Sequence, residues 1–139
     1  LERAIGKENS DKLKEFVSSL YDEFNIIPKL GRGKRISLNL KSSNDTYNFA
    51  SIQENGEVWF YGIVNKTEVI GDKSIGIKYL KSLAIIVGGK FNNKFKEWNW
   101  SVTRNGKYIN ITEYLTKKEE WKKLISDTIE KINILEDAE

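Results

Sequence analysis

The chain has 139 residues but no histidine, cysteine or methionine, and only one proline. Without imidazole, no side chain has an ordinary pKa near neutrality, so a ready general base or proton shuttle is missing. Without thiols there is no thiolate nucleophile and no disulfide scaffold. The two absences together remove the imidazole and sulfur ligands that zinc, haem and iron–sulfur clusters use. Long apolar runs are missing too. The longest, Leu83 to Val87, lies between Lys81 and Gly88-Gly89, far short of the ~20 residues that a membrane span needs. Carboxylate, amine, guanidinium, hydroxyl and aromatic chemistry remain, and no cofactor or metal site is implied.

The length suits one domain, residues 1–139, with enough chain to bury a core. Hydrophobic residues make up 39% and charged residues 31%, which describes a water-facing globule. The opening Leu1-Glu2-Arg3-Ala4, with neither an initiator Met nor a signal-like stretch, predicts a fragment of a longer protein. Absent cysteine fits a cytoplasmic setting. The net charge of +3 is unevenly spread: residues 29–96 hold twelve Lys and Arg against five acids, giving +7, while each flank carries −2. A basic middle between acidic ends points to an anionic partner.

Apolar periodicity predicts a first helix over Asp11–Phe24, with Leu13, Phe16, Val17, Leu20, Tyr21 and Phe24 on one stripe and Asn9 or Ser10 as cap. Pro28 follows and turns Ile27 away from helical torsions. Ile36–Leu40 alternates as a half-buried strand. Asn55-Gly56 predicts a two-residue hairpin turn that pairs Ile52 with Trp59, Ala50 with Tyr61 and Asn48 with Ile63. Phe60, Gly62 and Val64 then share the second face with Ser51, Phe49 and Tyr47. Both faces of this hairpin are rich in apolar groups, so one would need cover from elsewhere. A second helix is expected over Ser74–Val87, stopped by Gly88-Gly89. A second hairpin centres on Asn105-Gly106, with Val102 opposite Ile109 and Trp100 opposite Ile111. A third helix is expected from Thr116, where Thr116-x-x-Glu119 has the capping-box spacing. The resulting order, α-β-β-β-α-β-β-α, predicts an α+β fold: a largely antiparallel five-stranded sheet with helices mainly on one face.

Motifs for catalysis are thin. Metal-dependent nucleases bring acids together at a strand end, often with Glu-x-Lys, but the only Glu-x-Lys here is Glu120-Trp121-Lys122 inside a predicted helix. Gly31-x-Gly33-Lys34 lacks phosphate-loop spacing and precedes a strand. Ser74 and Lys78, one helical turn apart, read as a cap and a surface lysine. Aromatics and cations give the better lead, because single-strand binders stack bases on sheet aromatics while Lys and Arg follow the backbone. Lys29, Arg32, Lys34, Arg35 and Lys41 are the candidate phosphate contacts, with Lys90, Lys94 and Lys96 as a second cluster. Tyr47, Phe49 and Phe60 are the candidate stacking residues, and Trp59, Trp98, Trp100 and Trp121 read as core. The chain is therefore expected to be a non-catalytic accessory module that binds nucleic acid. A protein-interaction or self-association domain and a metal-dependent nuclease are the alternatives.

Overall fold

A computed structural model describes residues 1–31, 37–92 and 100–137. Its helices are α1 (Glu2–Ile5), α2 (Lys7–Phe24), α3 (Ile63–Val69), α4 (Ser74–Val87), α5 (Ile111–Leu115) and α6 (Lys118–Asp137). Its strands are β1 (Ile27–Gly31), β2 (Ser37–Lys41), β3 (Asn48–Gln53), β4 (Val58–Trp59), β5 (Lys90–Asn92), β6 (Ser101–Arg104) and β7 (Lys107–Tyr108). The α+β class holds, but the strands form two antiparallel sheets, β1-β2-β3-β4 and β5-β6-β7, in place of one of five. No helix among the described residues is long and apolar enough to cross a membrane.

The first helix begins four residues before the expected Asp11 and takes in Asn9 and Ser10, so neither caps it. It stops at Asn25, whose left-handed φ of 57° lets the Ile26 N–H reach back to the Leu20 carbonyl, the six-to-one bond of a Schellman ending. The chain then runs straight into β1, a strand that the lone proline concealed. Pro28 is tolerated there because β1 lies at the sheet edge, where a missing N–H costs no ladder bond.

The two Asn-Gly turns differ. At 105–106 both residues have positive φ, 54° and 75°, and Arg104 pairs with Lys107, a two-residue type I′ turn in the expected register. At 54–56 only Gly56 does, at 91°, and the Gln53 N–H bonds to the Glu57 carbonyl. This is a three-residue loop with a glycine bulge. Trp59 consequently pairs with Ser51 rather than Ile52, and Val58 takes Ile52. The strand also ends early, since Ile63 and Val64 open α3. The second apolar hairpin face that the sequence suggests therefore does not exist. Likewise Ile111 belongs to α5, not to a strand opposite Trp100, and the Thr116 hydroxyl bonds back to the Glu113 carbonyl instead of capping the last helix.

Register partners share a sheet face. One row, Leu38–Ile52–Val58, looks toward the helices. Two residues on, Phe60 meets the Tyr79 and Tyr114 rings at 6.4 and 6.3 Å. Tyr79 of α4 is fully enclosed: its hydroxyl donates to the Phe49 carbonyl at 2.7 Å and accepts from the Trp121 indole at 3.0 Å. Trp121 of α6 lies against Phe16 of α2 at 5.0 Å. The same core takes in Val102 and Ile109 of the smaller sheet. The helix expected over Ser74–Val87 is found with those bounds.

Two tests follow from this packing. A methyl group on Gly76 would sit 2.7 Å from the Val64 Cα and 2.8 Å from the Ile63 carbonyl oxygen. Gly76→Ala is therefore expected to destabilise by about 1–3 kcal/mol in urea unfolding, because overpacking exceeds the usual ~0.5–1 kcal/mol gain of Gly→Ala within a helix. The Tyr114 hydroxyl is buried with no hydrogen-bond partner among the described residues, unlike that of Tyr79. Tyr79→Phe should cost about 1–3 kcal/mol and Tyr114→Phe should be neutral or stabilising. Equal losses in the two variants would contradict the assignment of Tyr79 as the polar link.

Candidate binding surface

The sheet face turned away from the helices is polar. Register places Lys29, Asn39, Ser51 and Trp59 in one row across all four strands, with Gly31, Ser37 and Gln53 beside it. β3 forces this arrangement. Between Asn39 and Lys41 the register slips, and the bulge lets Asn48 join Ser51 on the polar side. The Ser51 hydroxyl donates to the Asn39 carbonyl oxygen at 2.5 Å and accepts from the Asn48 amide at 2.8 Å. Gln53 donates to the Ser51 backbone carbonyl at 3.3 Å. Small and amide side chains thus satisfy one another on a central strand, where an unpaired polar group would be costly.

Beyond β4 the polar face meets three rings. Trp59 stacks on Tyr108 at 5.3 Å and takes Tyr61 edge-on at 5.9 Å. Trp59 and Tyr108 are half-buried, and Tyr61 is 45% exposed. The Trp59 indole donates to the Glu57 carboxylate at 3.1 Å, which fixes the ring plane. Tyr108 comes from the other sheet. Asn110 secures that junction: it bridges Glu57, donates its amide to the Asn55 carbonyl and caps α5 by accepting from the Thr112 N–H at 3.1 Å. Gly56 is required there, since a Cβ would fall 2.5 Å from the Asn110 amide nitrogen. The ledge is therefore held by both sheets.

The expected stacking residues lie elsewhere. Tyr47, Phe49 and Phe60 are 3%, 1% and 3% exposed, and no base can stack on a ring whose faces are already packed. Their neighbours of opposite parity, Trp59 and Tyr61, carry the accessible rings. Strand alternation from Phe60 would have shown this, given the correct inward face. Trp100 and Trp121 are core as expected, Trp59 is not, and Trp98 lies outside the described residues.

Of the expected cations, Arg32, Lys34, Arg35, Lys94 and Lys96 also lie outside the described residues. Lys29 and Lys41 come together on the far margin of the polar face, 3.2 and 3.3 Å from Asp45. Hydrogen bonds from Lys29 and then Lys41 hold the Asp45 carboxyl below its usual range. Lys90 is exposed at the start of β5, and Lys107 is exposed beside Tyr108. Among the described residues no three acidic side chains converge to hold a metal ion, which leaves the nuclease reading without a centre there.

Desolvation pushes the Tyr61 phenol up, helped by Tyr108, and pushes Tyr108 up, helped by Glu57. Burial raises Tyr79 and Tyr114 as well. A pKa raised by folding means that the unfolded chain loses its proton first. These four phenols therefore contribute full stability below the ordinary tyrosine range near ~10, and that contribution is lost as pH rises through the folded values. Urea midpoints should stay level up to that range and then fall, with tyrosinate absorbance appearing as the protein unfolds. Stability that is unchanged well above it would contradict the assignment.

No protein-family model matches the chain, and no curated protein or solved structure is significantly similar to it.

Proposed function

We propose that the chain is a non-catalytic module of a larger protein that holds single-stranded nucleic acid against the aromatic ledge at the β4 margin of its four-stranded sheet. The observation that carries this reading is the ledge of Trp59, Tyr61 and Tyr108, three partly accessible rings beside a row of amide and hydroxyl groups. Rings of this kind accept any base by stacking. Asn48, Ser51 and Gln53 are buried and bonded to one another, so of the polar row only the half-buried Asn39 is open to a base edge. Phosphates would be met by Lys107 next to the ledge and by the basic stretch from Lys29 to Lys41, which includes Arg32, Lys34 and Arg35. Lys90, Lys94 and Lys96 supply further positive charge within the basic middle of the sequence, residues 29–96. Glu57 works against phosphate, so bases rather than backbone belong over Trp59.

Anisotropy titration of labelled oligo(dT) and oligo(rU), at low and at physiological salt, tests this. Binding should weaken steeply with salt. Tyr61→Ala should weaken it by about 5–150-fold, the loss of one stacked base at ~1–3 kcal/mol, while costing far less stability than truncating a core aromatic. No salt-sensitive binding, or equal binding by Tyr61→Ala and Trp59→Leu, would refute the reading.

One observation favours protein interaction instead. β1 is an open edge carrying Leu30 at 72% exposure, and Tyr21 of α2 is 54% exposed. A shallow hollow of about 260 Å³ beside Leu30 is lined by Leu1, Leu38 and Ile52. Self-association that persists in high salt and is abolished by Leu30→Asp would support this second reading.

A further inference from the structure

A second cleft, of about 200 Å³, opens where the ends of α2 and α6 meet the loop between β2 and β3. Its floor is apolar, formed by Phe24, Ile26, Phe49, Ile129 and Ile132. Its rim is polar, and among the described residues that line it Glu136 is the one with a charge. The Tyr47 hydroxyl donates to Glu136 Oε1 at 2.7 Å, which anchors the carboxylate at the rim of the cleft. Asn25, Ser43 and Asn133 complete the rim and make no side-chain hydrogen bond to another described residue. Both helices present their C-terminal ends here, α2 at Phe24 and α6 at Asp137, so two negative dipole ends add to the Glu136 charge. Lys29 and Lys41 lie near this loop but are held by Asp45.

Carboxylate, helix C-termini, neutral acceptors and an aromatic floor share one preference, a cation with an apolar body. An anion would be repelled by the Glu136 carboxylate even where the rim amides and hydroxyls could donate to it, and a neutral apolar ligand would not engage the anchored carboxylate. We infer that this cleft binds a small aliphatic amine, with its ammonium group on the Glu136 carboxylate and the oxygens of the rim amides and its alkyl chain over Phe24 and Ile132. The site is separate from the aromatic ledge and does not depend on nucleic-acid binding.

The test is titration of the full chain with n-butylammonium and with putrescine, followed by amide chemical shifts and calorimetry without nucleic acid. Saturable binding is expected, with shifts concentrated at residues 24–26, 42–47 and 129–137. Glu136→Gln should weaken it by about tenfold or more, the usual effect of losing a charge-assisted hydrogen bond. Tyr47→Phe keeps the buried ring, removes only the hydroxyl that orients the carboxylate, and should weaken binding by a smaller factor. Glu130→Gln, on the exposed flank of α6 outside the cleft, should leave binding unchanged, and butyrate should not bind. Absence of saturable binding would overturn the inference. So would equal affinity in Glu136→Gln, an equal loss in Glu130→Gln, or butyrate binding as tightly as the amine.

Discussion

The hydroxyl of Tyr79 is the contact on which the architecture turns. It ties the β3 backbone at Phe49 to α4 and, through the Trp121 indole, to α6. Trp121 in turn lies against Phe16, so α2 joins the same centre. In a dry environment each of these hydrogen bonds is strong and each broken one is costly. The sheet can therefore meet its helices in only one orientation, with Phe49 and Phe60 inward. Alternation about Phe60 then sends Trp59 and Tyr61 to the opposite face, and the irregular step in β3 places Ser51 there as well. The candidate surface follows from an internal constraint: a core that claims Phe60 leaves Trp59 and Tyr61 partly open to solvent.

The helices were more legible in the sequence than the sheets. Ser74–Val87 was readable to the residue because periodic apolar positions coincide with Gly88, which ends the helix in a left-handed conformation. The two Asn-Gly pairs show where local reading stops. The same dipeptide forms a two-residue turn at 105–106 and part of a three-residue loop at 54–56. Both are good hairpin solutions. What separates them is distant in sequence: Asn110 bonds to the Asn55 carbonyl, and the Ile111 N–H bonds to the Gly56 carbonyl at 2.7 Å. No pattern within residues 47–64 carries that information, and a shift of one residue exchanges the faces of a strand. Ile63 and Val64 went astray for a related reason, since β-branched residues after a strand read as more strand until tertiary contacts turn them into helix.

The expected stacking residues Tyr47, Phe49 and Phe60 are buried, and the accessible rings are Trp59 and Tyr61. A sheet-borne aromatic surface was foreseeable from the spacing of Tyr47, Phe49, Trp59, Phe60 and Tyr61. Which subset faces outward was not, because it depends on one turn and on the bulge at Leu40. The charge pattern told less about geometry. Lys29 and Lys41 are together as a basic segment implies, but Asp45, brought between them by the turn, offsets much of their field. A count of charges along the chain cannot register a carboxylate that folding places between two lysines.

That turn also links the two surfaces physically. Ser42 accepts from the Tyr47 N–H and donates to Asn44 at 2.6 Å, and Asn44 accepts from the Thr46 N–H. One side of this hydrogen-bonded loop presents Asp45 to the lysines of the polar face. The other presents Ser43, Asn44 and Tyr47 to the cleft above α6. The loop thus separates regions of opposite sign, a basic margin on the sheet and an acidic cleft at the helix ends. With Tyr47 buried in the core and bonded to Glu136, displacing the loop would disturb both. Occupancy of the cleft would steady the residues that position Lys29 and Lys41, so the two surfaces share a structural element while keeping distinct chemistry.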